Sequence, residues 1–346
     1  MRILVTGAAG FIGGNLVKSL LERMNDAEIL GLDNMNDYYD VELKEYRLSL
    51  LQTSFGFKFV KGDIVDRDFI QKVFFEFRPQ IVVNLAAQAG VRNSITNPDV
   101  YIQSNIVGFY NVLEACRHSY EQYDGGVRHL VYASFSSVYG INADVPYSVD
   151  ANTGNPVSLY AATKESNELL AHTYSKLYGI PTTGLRFFTV YGPAGRPDMA
   201  YFSFTDKLVK GEKIRIFDYG NCMRDFTYID DIVDGLVRVT QKPPICLTTE
   251  DVQPVPPYAI YNIGNNHPES LLDFVDILQQ ELIRAGILPK DFDYQEYMEL
   301  VPKQPGDVPM TYADTSTLER DFGFKPSTSL RTGLRAFAEW YAGYLK

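Results

Sequence analysis

A glycine-spaced turn near the start of the chain constrains the fold more than any other feature. Gly7, Gly10 and Gly13 follow the short apolar run Arg2–Val5. The stretch Asn15–Arg23 comes next and places its apolar residues on one helical face. Gly7 permits a tight turn, Gly10 lets backbone approach a pyrophosphate, and Gly13 lets a helix pack close to a strand. The unpaired N–H groups that open this helix then face the phosphates, so the sequence predicts a dinucleotide-binding unit.

An acidic residue stands where such a unit needs one. Asp33 lies 20 residues after Gly13, at the end of a second strand candidate, Glu28–Leu32. A carboxylate at this position accepts hydrogen bonds from the adenosine ribose hydroxyls and repels a 2′-phosphate. The sequence therefore predicts NAD rather than NADP as the cofactor.

The first half of the chain alternates short β-type runs with amphipathic helical stretches. This alternation predicts an α/β fold, a Rossmann-type doubly wound parallel sheet with helices on both faces. Further predicted elements are the strands Lys58–Val60, Gln80–Leu85, His129–Ser134 and Thr183–Phe188 and the helices Arg67–Phe77, Val100–Tyr120 and Ser158–Tyr178.

The rhythm changes after about Arg186, where loops rich in Gly and Pro interrupt shorter elements. We expect an NAD-binding domain over 1–185, to which some later segments return, and a smaller α/β substrate lobe over 186–346. Lys242–Pro257 holds five prolines and is predicted to be an ordered surface loop or insertion. Leu271–Ala285 and Leu330–Tyr344 are predicted to be amphipathic helices.

Composition excludes several classes of protein. The formal net charge of −11 argues against a general nucleic-acid binder, which would be basic. The three cysteines are far apart and odd in number, which argues against a disulfide framework and favours a reducing, cytoplasmic compartment. The four histidines lack metal-ligand spacing, so no metal is expected. The chain enters a strand at once and has no run of about 20 apolar residues, so neither a secretory signal nor a membrane span is expected.

Tyr160 and Lys164 form a candidate catalytic pair. Residues four apart share one face of a helix. A tyrosine with a pKa near ~10 is a poor base at neutral pH. A nearby lysine ammonium stabilises the phenolate and lowers that pKa. Tyr160 can then take a proton from a substrate hydroxyl while a hydride leaves the same carbon.

Together these motifs resemble the extended short-chain dehydrogenase/reductase superfamily over essentially the whole chain. The resemblance implies that Tyr160 is the acid/base, that Lys164 also holds the nicotinamide ribose, and that NAD is tightly bound and recycled. The cofactor-binding residues implied are Gly7, Gly10, Phe11, Ile12, Gly13, Asp33, Asn34, Asp63, Ile64, Leu85, Ala86, Ala87, Gln88, Asn105, Ser134, Tyr160 and Lys164.

Several segments are similar to the UDP-glucuronate 4-epimerase branch of this superfamily. They cover residues 33–40, 86–92, 104–108, 186–200, 224–231 and 304–309. The resemblance implies conversion of UDP-glucuronic acid to UDP-galacturonic acid through a 4-keto intermediate. It also implies a homodimer formed by the helices Val100–Tyr120 and Ser158–Tyr178.

The same resemblance assigns substrate-binding residues. Arg196 matches the partner of the sugar carboxylate, which a planar guanidinium can bind through two hydrogen bonds. Arg224 matches the diphosphate-binding arginine, and Asp307 the acid near the uridine ribose. Arg92 is a candidate for the sugar end, and Thr189 is also implied in substrate binding. A 4-keto uronate is a β-keto acid and can lose its carboxylate as CO₂. We therefore expect Arg196 to hold the carboxylate so that its C–C bond is not aligned with the π system of the ketone.

One position departs from the pattern. The residue four before Tyr139 is normally the catalytic Ser or Thr, and here it is Phe135, which can neither donate nor accept the hydrogen bond. Three explanations are open: Ser136 supplies the hydroxyl, activity is lowered, or the chain carries an altered residue. Loss of one assisting hydroxyl costs on the order of 10²-fold in rate.

Other functions remain as alternatives. A decarboxylase or dehydratase of this superfamily carries acids just before the Val-Tyr-Gly of the strand end, where this chain has Ser136 and Ser137. A UDP-glucose/galactose 4-epimerase would have less use for Arg196. A catalytically impaired protein that binds NAD or nucleotide sugars is supported by Phe135 alone.

Overall fold

A computed structural model describes residues 1–141, 144–249, 252–304 and 306–344 of the chain. Its strands are β1 Arg2–Thr6, β2 Glu28–Asp33, β3 Phe57–Lys61, β4 Ile81–Asn84, β5 His129–Phe135, β6 Thr182–Phe187, β7 Thr189–Tyr191, β8 Ile214–Ile216, β9 Met223–Tyr228, β10 Leu247–Thr249, β11 Val252–Val255, β12 Tyr258–Ile263, β13 Pro268–Ser270 and β14 Met298–Leu300.

The α-helices are α1 Phe11–Arg23, α2 Val41–Ser49, α3 Arg67–Phe77, α4 Asn93–Thr96, α5 Pro98–Tyr101, α6 Phe109–Gln122, α7 Leu159–Tyr178, α8 Ala200–Val209, α9 Ile229–Thr240, α10 Leu271–Arg284, α11 Ser316–Phe322 and α12 Leu330–Tyr344. A π-helix covers Ile102–Gly108, and short 3-10 helices cover Ser136–Tyr139, Phe217–Gly220 and Tyr294–Tyr297. Two compact units are formed, the first from residues 1–143, 149–187 and 233–262 and the second from the remainder.

The first unit is built on a seven-stranded sheet. Its strand order is β12-β6-β5-β4-β1-β2-β3, and the pairings from β6 across to β3 are parallel. The order reverses between β1 and β4, which is the topological switch point of a doubly wound fold. The parallel sheet predicted from the sequence is therefore confirmed. Strand β12 was not predicted.

Burial explains why these strands read as apolar runs. Every residue of β4 and of β6 is buried, as expected for parallel strands covered by helices on both faces. The core joins strand residues such as Leu4, Val82 and Leu130 to helix residues such as Phe74 and Val112.

Polar caps set the ends of the helices. The Asp66 side chain accepts a hydrogen bond from the N–H of Phe69 and so begins α3. Ser158 does the same for α7 through the N–H of Ala161, and Gly179 ends that helix at φ +68°.

The predicted helix Val100–Tyr120 is present but is not a regular α-helix throughout. Its first part is α5, its middle is the π-helix Ile102–Gly108, and only the last part, α6, is regular. A Cβ on Gly108 would lie 2.6 Å from Cγ1 of Ile64, so the π-helix passes very close to the turn after β3. The wider π turns place Asn105 in the interior, where it is almost fully buried.

The second unit contains the sheets β13-β9-β7 and β14-β8. Asp225 on β9 organises it, because its carboxylate accepts hydrogen bonds from the N–H groups of Asn265 at 2.7 Å, Asn266 at 3.1 Å and Ala313 at 3.0 Å. Burial raises the pKa of this carboxyl, and the three N–H donors oppose the rise. An aromatic cluster packs α8 on α12, formed by Tyr201, Phe202, Phe337, Trp340 and Tyr341.

Other sequence predictions have mixed outcomes. Helices α10 and α12 match the two predicted amphipathic helices closely. The proline-rich segment Lys242–Pro257 contains the antiparallel pair β10–β11, and its residues 250 and 251 lie outside the described part. Helices α2, α8 and α9 were not predicted. Across the described ranges, no helix combines the length and apolar character that crossing a bilayer requires.

Candidate active site

The glycine turn lies at the switch point of the sheet. Gly7 follows β1 with φ +72°, and a Cβ there would lie 2.8 Å from the N atom of Ala86, just after β4. A Cβ on Gly13 would collide with the carbonyl oxygen of Gly7. Backbone therefore meets backbone on both sides of the turn, and only glycine fits at these two positions.

Helix α1 begins directly at this turn. Gly10 is its N-cap, and no side chain caps it. The N–H groups of Phe11 and Ile12 belong to the first turn, where an α-helix leaves its N–H groups without intrahelical partners. These groups, together with the helix dipole, suit a pyrophosphate. The geometry fits the diphosphate of a dinucleotide.

The residues predicted for the adenosine end are linked to one another. Asp33, at the end of β2, accepts hydrogen bonds from the N–H groups of Ala9 at 3.2 Å and Met35 at 2.9 Å. The next residue, Asn34, donates from Nδ2 to Oδ2 of Asp63 at 2.9 Å. Both acids therefore lie in one hydrogen-bonded group of loops beside the glycine turn. Ile64, which follows Asp63, is buried in the core.

The segment predicted to pass under the cofactor is fixed from two sides. The N–H of Ala86 donates to Oγ1 of Thr6 at 3.1 Å. The N–H of Gln88 donates to Oδ1 of Asn105 at 2.8 Å, and Nδ2 of Asn105 donates back to the Gln88 carbonyl at 3.0 Å and to Oγ1 of Thr163 at 3.0 Å. Asn105 thus ties the end of β4 to α7, the helix that carries Tyr160. Leu85 and Ala87 complete this segment.

The proposed catalytic pair occupies the first two turns of α7. Both side chains are buried, Tyr160 at 6% and Lys164 at 3% exposed. The Lys164 ammonium donates to the Ala133 carbonyl at 2.9 Å and lies 6.0 Å from the centre of the Tyr160 ring. Burial lowers the pKa of Lys164 to about 8, and the carboxylate of Glu168 opposes this fall. A positive charge is therefore held beside Tyr160 at neutral pH.

The two serines that flank Phe135 lie in different surroundings. Ser134 Oγ donates to Oε1 of Glu168 at 2.5 Å, inside the core. Ser136 is buried at the start of the 3-10 helix that follows β5. Phe135 lies between them in the sequence. The centre of its ring is 5.7 Å from the centre of the Tyr160 ring. A hydrocarbon surface therefore stands beside Tyr160.

Glu168 and Arg186 are functional candidates that the sequence analysis missed. The Arg186 guanidinium donates to both carboxylate oxygens of Glu168, at 2.9 and 2.7 Å, and both side chains are buried. This pair fixes Ser134 and places a negative charge on the same face of α7 as Lys164. The spacing of four residues between Lys164 and Glu168 was a signal that could have revealed Glu168, but not its pairing with Arg186.

The residues predicted to bind the nucleotide sugar lie mainly in the second unit. Arg196 forms a two-bond ion pair with Asp198, at 3.0 and 2.5 Å. Arg224 donates to the carbonyls of Met223 and Pro309, at 2.9 and 3.3 Å, so it lies beside the segment that contains Asp307.

Two further predicted substrate residues occupy different places. Thr189 begins β7 and is paired in register with Phe226 of β9, the strand that carries Arg224. Arg92 belongs to the first unit, where it is the N-cap residue of α4. Pro305 of the predicted 304–309 segment lies outside the described residues.

Comparison with known proteins identifies the family. Residues 3–264 match the NAD dependent epimerase/dehydratase family. The chain belongs to this family. It is 46% identical to UDP-glucuronate 4-epimerase 2 of Arabidopsis thaliana, over all of this chain and 77% of that one. It is 41% identical to the probable UDP-glucuronate 4-epimerase of Rhizobium meliloti, over 99% and 97% of the two chains.

A solved structure agrees with this family assignment. The UDP-glucuronic acid 4-epimerase of Bacillus cereus, in complex with UDP-glucuronic acid and NAD, superimposes with a TM-score of 0.85 at 32% identity, over all of both chains. The recognition of the superfamily from the glycine turn and the Tyr160–Lys164 pair is therefore confirmed, and so is NAD as the cofactor of this epimerase/dehydratase.

The close packing at Gly13 gives a test of the cofactor site formed by the glycine turn and the start of α1. In the Gly13→Ala variant the new methyl group would push α1 away from the Gly7 carbonyl. We expect loss of most bound NAD and a fall of about 2 kcal/mol in the free energy of unfolding. The measurements are NAD released per chain from the purified protein and urea denaturation.

Gly14→Ala is the matched control. A Cβ on Gly14 would lie 3.5 Å from the Ala8 carbonyl oxygen and 3.6 Å from Cβ of Arg47, which is ordinary contact. Alanine is also the better helix former. This variant should keep its NAD. Equal NAD content in the two variants would contradict the assigned role of Gly13.

Proposed function

We propose that this chain interconverts UDP-glucuronic acid and UDP-galacturonic acid by NAD-dependent epimerisation at C4. The observation that carries the proposal is the buried Tyr160–Lys164 pair on α7. This helix is tied through Asn105 to the segment after β4, which packs against Gly7. Similarity to UDP-glucuronate 4-epimerases over essentially the whole chain supports the uronate as substrate.

Each residue of the pair has a distinct task. Tyr160 would take the proton of the 4-hydroxyl and return it after the sugar has turned over. Lys164 stabilises the phenolate through its ammonium group, which the Ala133 carbonyl holds in place. Bound NAD supplies the acceptor for the C4 hydride and is restored in each turnover, so it acts as a prosthetic group.

We assign each predicted site residue to a part of NAD or of the nucleotide sugar. The first unit holds NAD through the glycine turn, Asp33 and Asp63. The second presents Arg196 to the sugar carboxylate, Arg224 to the diphosphate and Asp307 to the uridine ribose, and Thr189 adds a contact to the sugar. Arg92 is assigned to the sugar end. Charged guanidinium groups suit a ligand that carries a diphosphate and a carboxylate.

We propose that Ser136 supplies the hydroxyl that Phe135 lacks. The Ser134 hydroxyl is already donated to Glu168, so it is a poor substitute. Ser136 directly follows Phe135 and is buried at the same strand end. The substitute hydroxyl is not at the usual position, so we expect turnover to be slower than with a Ser or Thr at 135.

An NMR time course of the purified chain with UDP-glucuronic acid, without added NAD, tests the function. Appearance of UDP-galacturonic acid would support both the reaction and the tightly held cofactor. Appearance of UDP-xylose or a 4-keto pentose would assign decarboxylation instead. Absence of any product from both the natural chain and the Phe135→Ser variant would reject the substrate.

The Phe135→Ser variant restores a hydroxyl at the usual position. We expect kcat to rise, by up to about 10²-fold, because one assisting hydroxyl is worth that much in proton transfer. Phe135→Leu is the control, since it removes the ring without adding a hydroxyl. An equal rise in both variants would show that the bulk of the ring, and not the missing hydroxyl, limits the rate.

Arg196→Met tests the uronate assignment. Loss of the guanidinium should raise KM for UDP-glucuronic acid about tenfold or more, or release pentose by-product, because the carboxylate loses a charged partner. Arg215→Met is the control, since Arg215 is an exposed arginine of the same unit paired with Glu299 at 3.0 Å. Unchanged KM and product ratio in Arg196→Met would remove this residue from the site.

The pH dependence of kcat tests the role of Lys164. Its ammonium form is present below a pKa of about 8 and is lost as the pH rises through that value. We therefore expect kcat to fall above pH 8. Glu168→Gln removes the carboxylate that raises this pKa, so the basic limb should move to lower pH.

Glu165→Gln is the matched control for Glu168→Gln. Glu165 follows Lys164 on the same helix and accepts a hydrogen bond from Thr153 at 3.2 Å. Its removal should leave the limb in place. Glu168→Gln also breaks the buried ion pair with Arg186, which lowers the free energy of unfolding by about 3–5 kcal/mol. The variants are therefore compared by the pH at which kcat falls, and not by the maximal value of kcat. A limb unmoved by Glu168→Gln would contradict the role given to that carboxylate.

We further propose a homodimer that forms through the helices α6 and α7. Large apolar side chains are exposed on them, among them Tyr110, Leu169, Leu177 and Tyr178. Leu169 and Leu177 are each 66% exposed, and burial of such side chains would stabilise the contact. Light scattering tests the dimer.

The three cysteines are free, which supports a cytoplasmic location.

A further inference from the structure

Tyr101 is a buried tyrosine that contacts the helix of the proposed catalytic pair. It is the last residue of α5, directly before the π-helix Ile102–Gly108, and none of its surface is exposed to solvent. A buried tyrosine usually finds a hydrogen-bond partner for its hydroxyl. Here the ring and the hydroxyl contact two different parts of the first unit, and both parts belong to the proposed site.

The ring of Tyr101 packs against the ring of Tyr160. The two ring centres are 6.0 Å apart and the ring planes meet at 73°, which is an edge-to-face contact. Aromatic pairs prefer this arrangement because the positive edge of one ring faces the negative face of the other. The Phe135 ring also lies against Tyr160, at an angle of 52°. Tyr101 therefore restricts the orientation of the ring whose hydroxyl has to exchange a proton with the substrate.

The hydroxyl of Tyr101 holds the loop that follows β4. It donates to the carbonyls of Ala89 at 2.9 Å and Gly90 at 2.7 Å. It also accepts a hydrogen bond from Nδ2 of Asn93 at 3.1 Å. Arg92, the exposed arginine predicted for the sugar end, lies between these held residues. One hydroxyl therefore fixes the loop on both sides of Arg92.

Asn105, four residues after Tyr101, makes a parallel set of contacts. Its side chain bonds to the backbone of Gln88 and to Oγ1 of Thr163 on α7. Asn105 and Tyr101 thus hold consecutive residues of the segment after β4, and both contact α7. Asn105 holds the part predicted to pass under NAD, whereas Tyr101 contacts the proposed acid/base and the loop of Arg92. Tyr101 therefore connects the two groups that act on the sugar.

We propose that Tyr101 is a positioning residue with two separable tasks. Its ring orients Tyr160 for proton transfer, and its hydroxyl places the loop that presents Arg92 to the sugar. The inference rests on the proposed function and deepens it, because it assigns the link between the acid/base and the sugar end to one side chain. A reacting group that is misplaced by about 1 Å can lose up to about 10²-fold in rate, so such a link affects turnover.

Two substitutions separate the tasks, with kcat and KM for UDP-glucuronic acid as the measurements. Tyr101→Phe keeps the ring and removes the hydroxyl, so KM should rise about three- to tenfold while kcat stays unchanged. Tyr101→Leu removes the ring as well. Its KM should rise in the same way, and its kcat should also fall, by about tenfold or more, because Tyr160 is no longer held in one orientation.

Each substitution has a matched control that should keep the natural kcat and KM. Tyr123→Phe removes a hydroxyl that donates to the Pro79 carbonyl at 2.7 Å, just before β4. Phe109→Leu removes a buried core ring, whose centre lies 5.2 Å from that of Tyr132. Equal kcat in Tyr101→Leu and Phe109→Leu would reduce the Tyr101 ring to a part of the core. Equal KM in Tyr101→Phe and Tyr123→Phe would remove the hydroxyl from the placement of the loop.

Two measurements without substrate separate this inference from the proposed function. Amide hydrogen exchange over residues 86–96 should be faster in Tyr101→Phe than in the natural chain, and unchanged in Tyr123→Phe. The NMR signal of the ¹³C-labelled ring carbon that bears the Tyr160 hydroxyl, identified by its loss in Tyr160→Phe, should move in Tyr101→Leu and not in Tyr101→Phe.

A natural chain that converts no UDP-glucuronic acid would reject the proposed function, and these two measurements would still decide the role of Tyr101. Unchanged hydrogen exchange in Tyr101→Phe would overturn the task given to the hydroxyl. An unmoved Tyr160 signal in Tyr101→Leu would overturn the task given to the ring.

Discussion

The close approach of α1 to the ends of β1 and β4 is the constraint on which the rest of the first unit depends. Gly7 lies against Ala86 on one side, and Gly13 against the Gly7 carbonyl on the other. This contact places the unpaired N–H groups of α1 at the switch point of the sheet, where parallel α/β folds bind their ligands. The segment after β4 is then tied through the Asn105 side chain to Thr163 on α7, so one hydrogen-bonded network links the glycine turn to the helix that carries Tyr160 and Lys164.

The first unit also buries several cations, although the net charge of the chain is −11. Lys44 lies beside Asp33, and Arg186 is paired with Glu168, whose charge also reaches Lys164. Each carboxylate offsets part of the cost of removing a cation from water. The excess of acids elsewhere on the chain therefore does not prevent it from holding positive charge where an anionic cofactor and a phenolate need it.

Apolar pattern predicted most of the large sheet, because parallel strands covered on both faces read as apolar runs. It failed at α2, where two of the four buried residues are Lys44 and Arg47, so no apolar stripe marks the helix. It also missed the π-helix, since a local change of hydrogen bonding leaves little trace in sequence. Motif spacing revealed Tyr160 and Lys164, but the Glu168–Arg186 pair joins a helix to a strand that only the tertiary fold brings together.

Few groups at the end of β5 can replace the hydroxyl that Phe135 lacks. The Ser134 hydroxyl donates to Oε1 of Glu168, the same oxygen that accepts from Nε of Arg186, so moving this hydroxyl toward a substrate would remove one of the two hydrogen bonds to that buried carboxylate oxygen. Such a loss costs about 1–3 kcal/mol, which works against any gain from the new contact. Ser136 begins a short 3-10 helix and is not part of that ion pair. A hydroxyl lost at 135 is therefore replaced at lower cost from the residue that follows it than from the residue that precedes it.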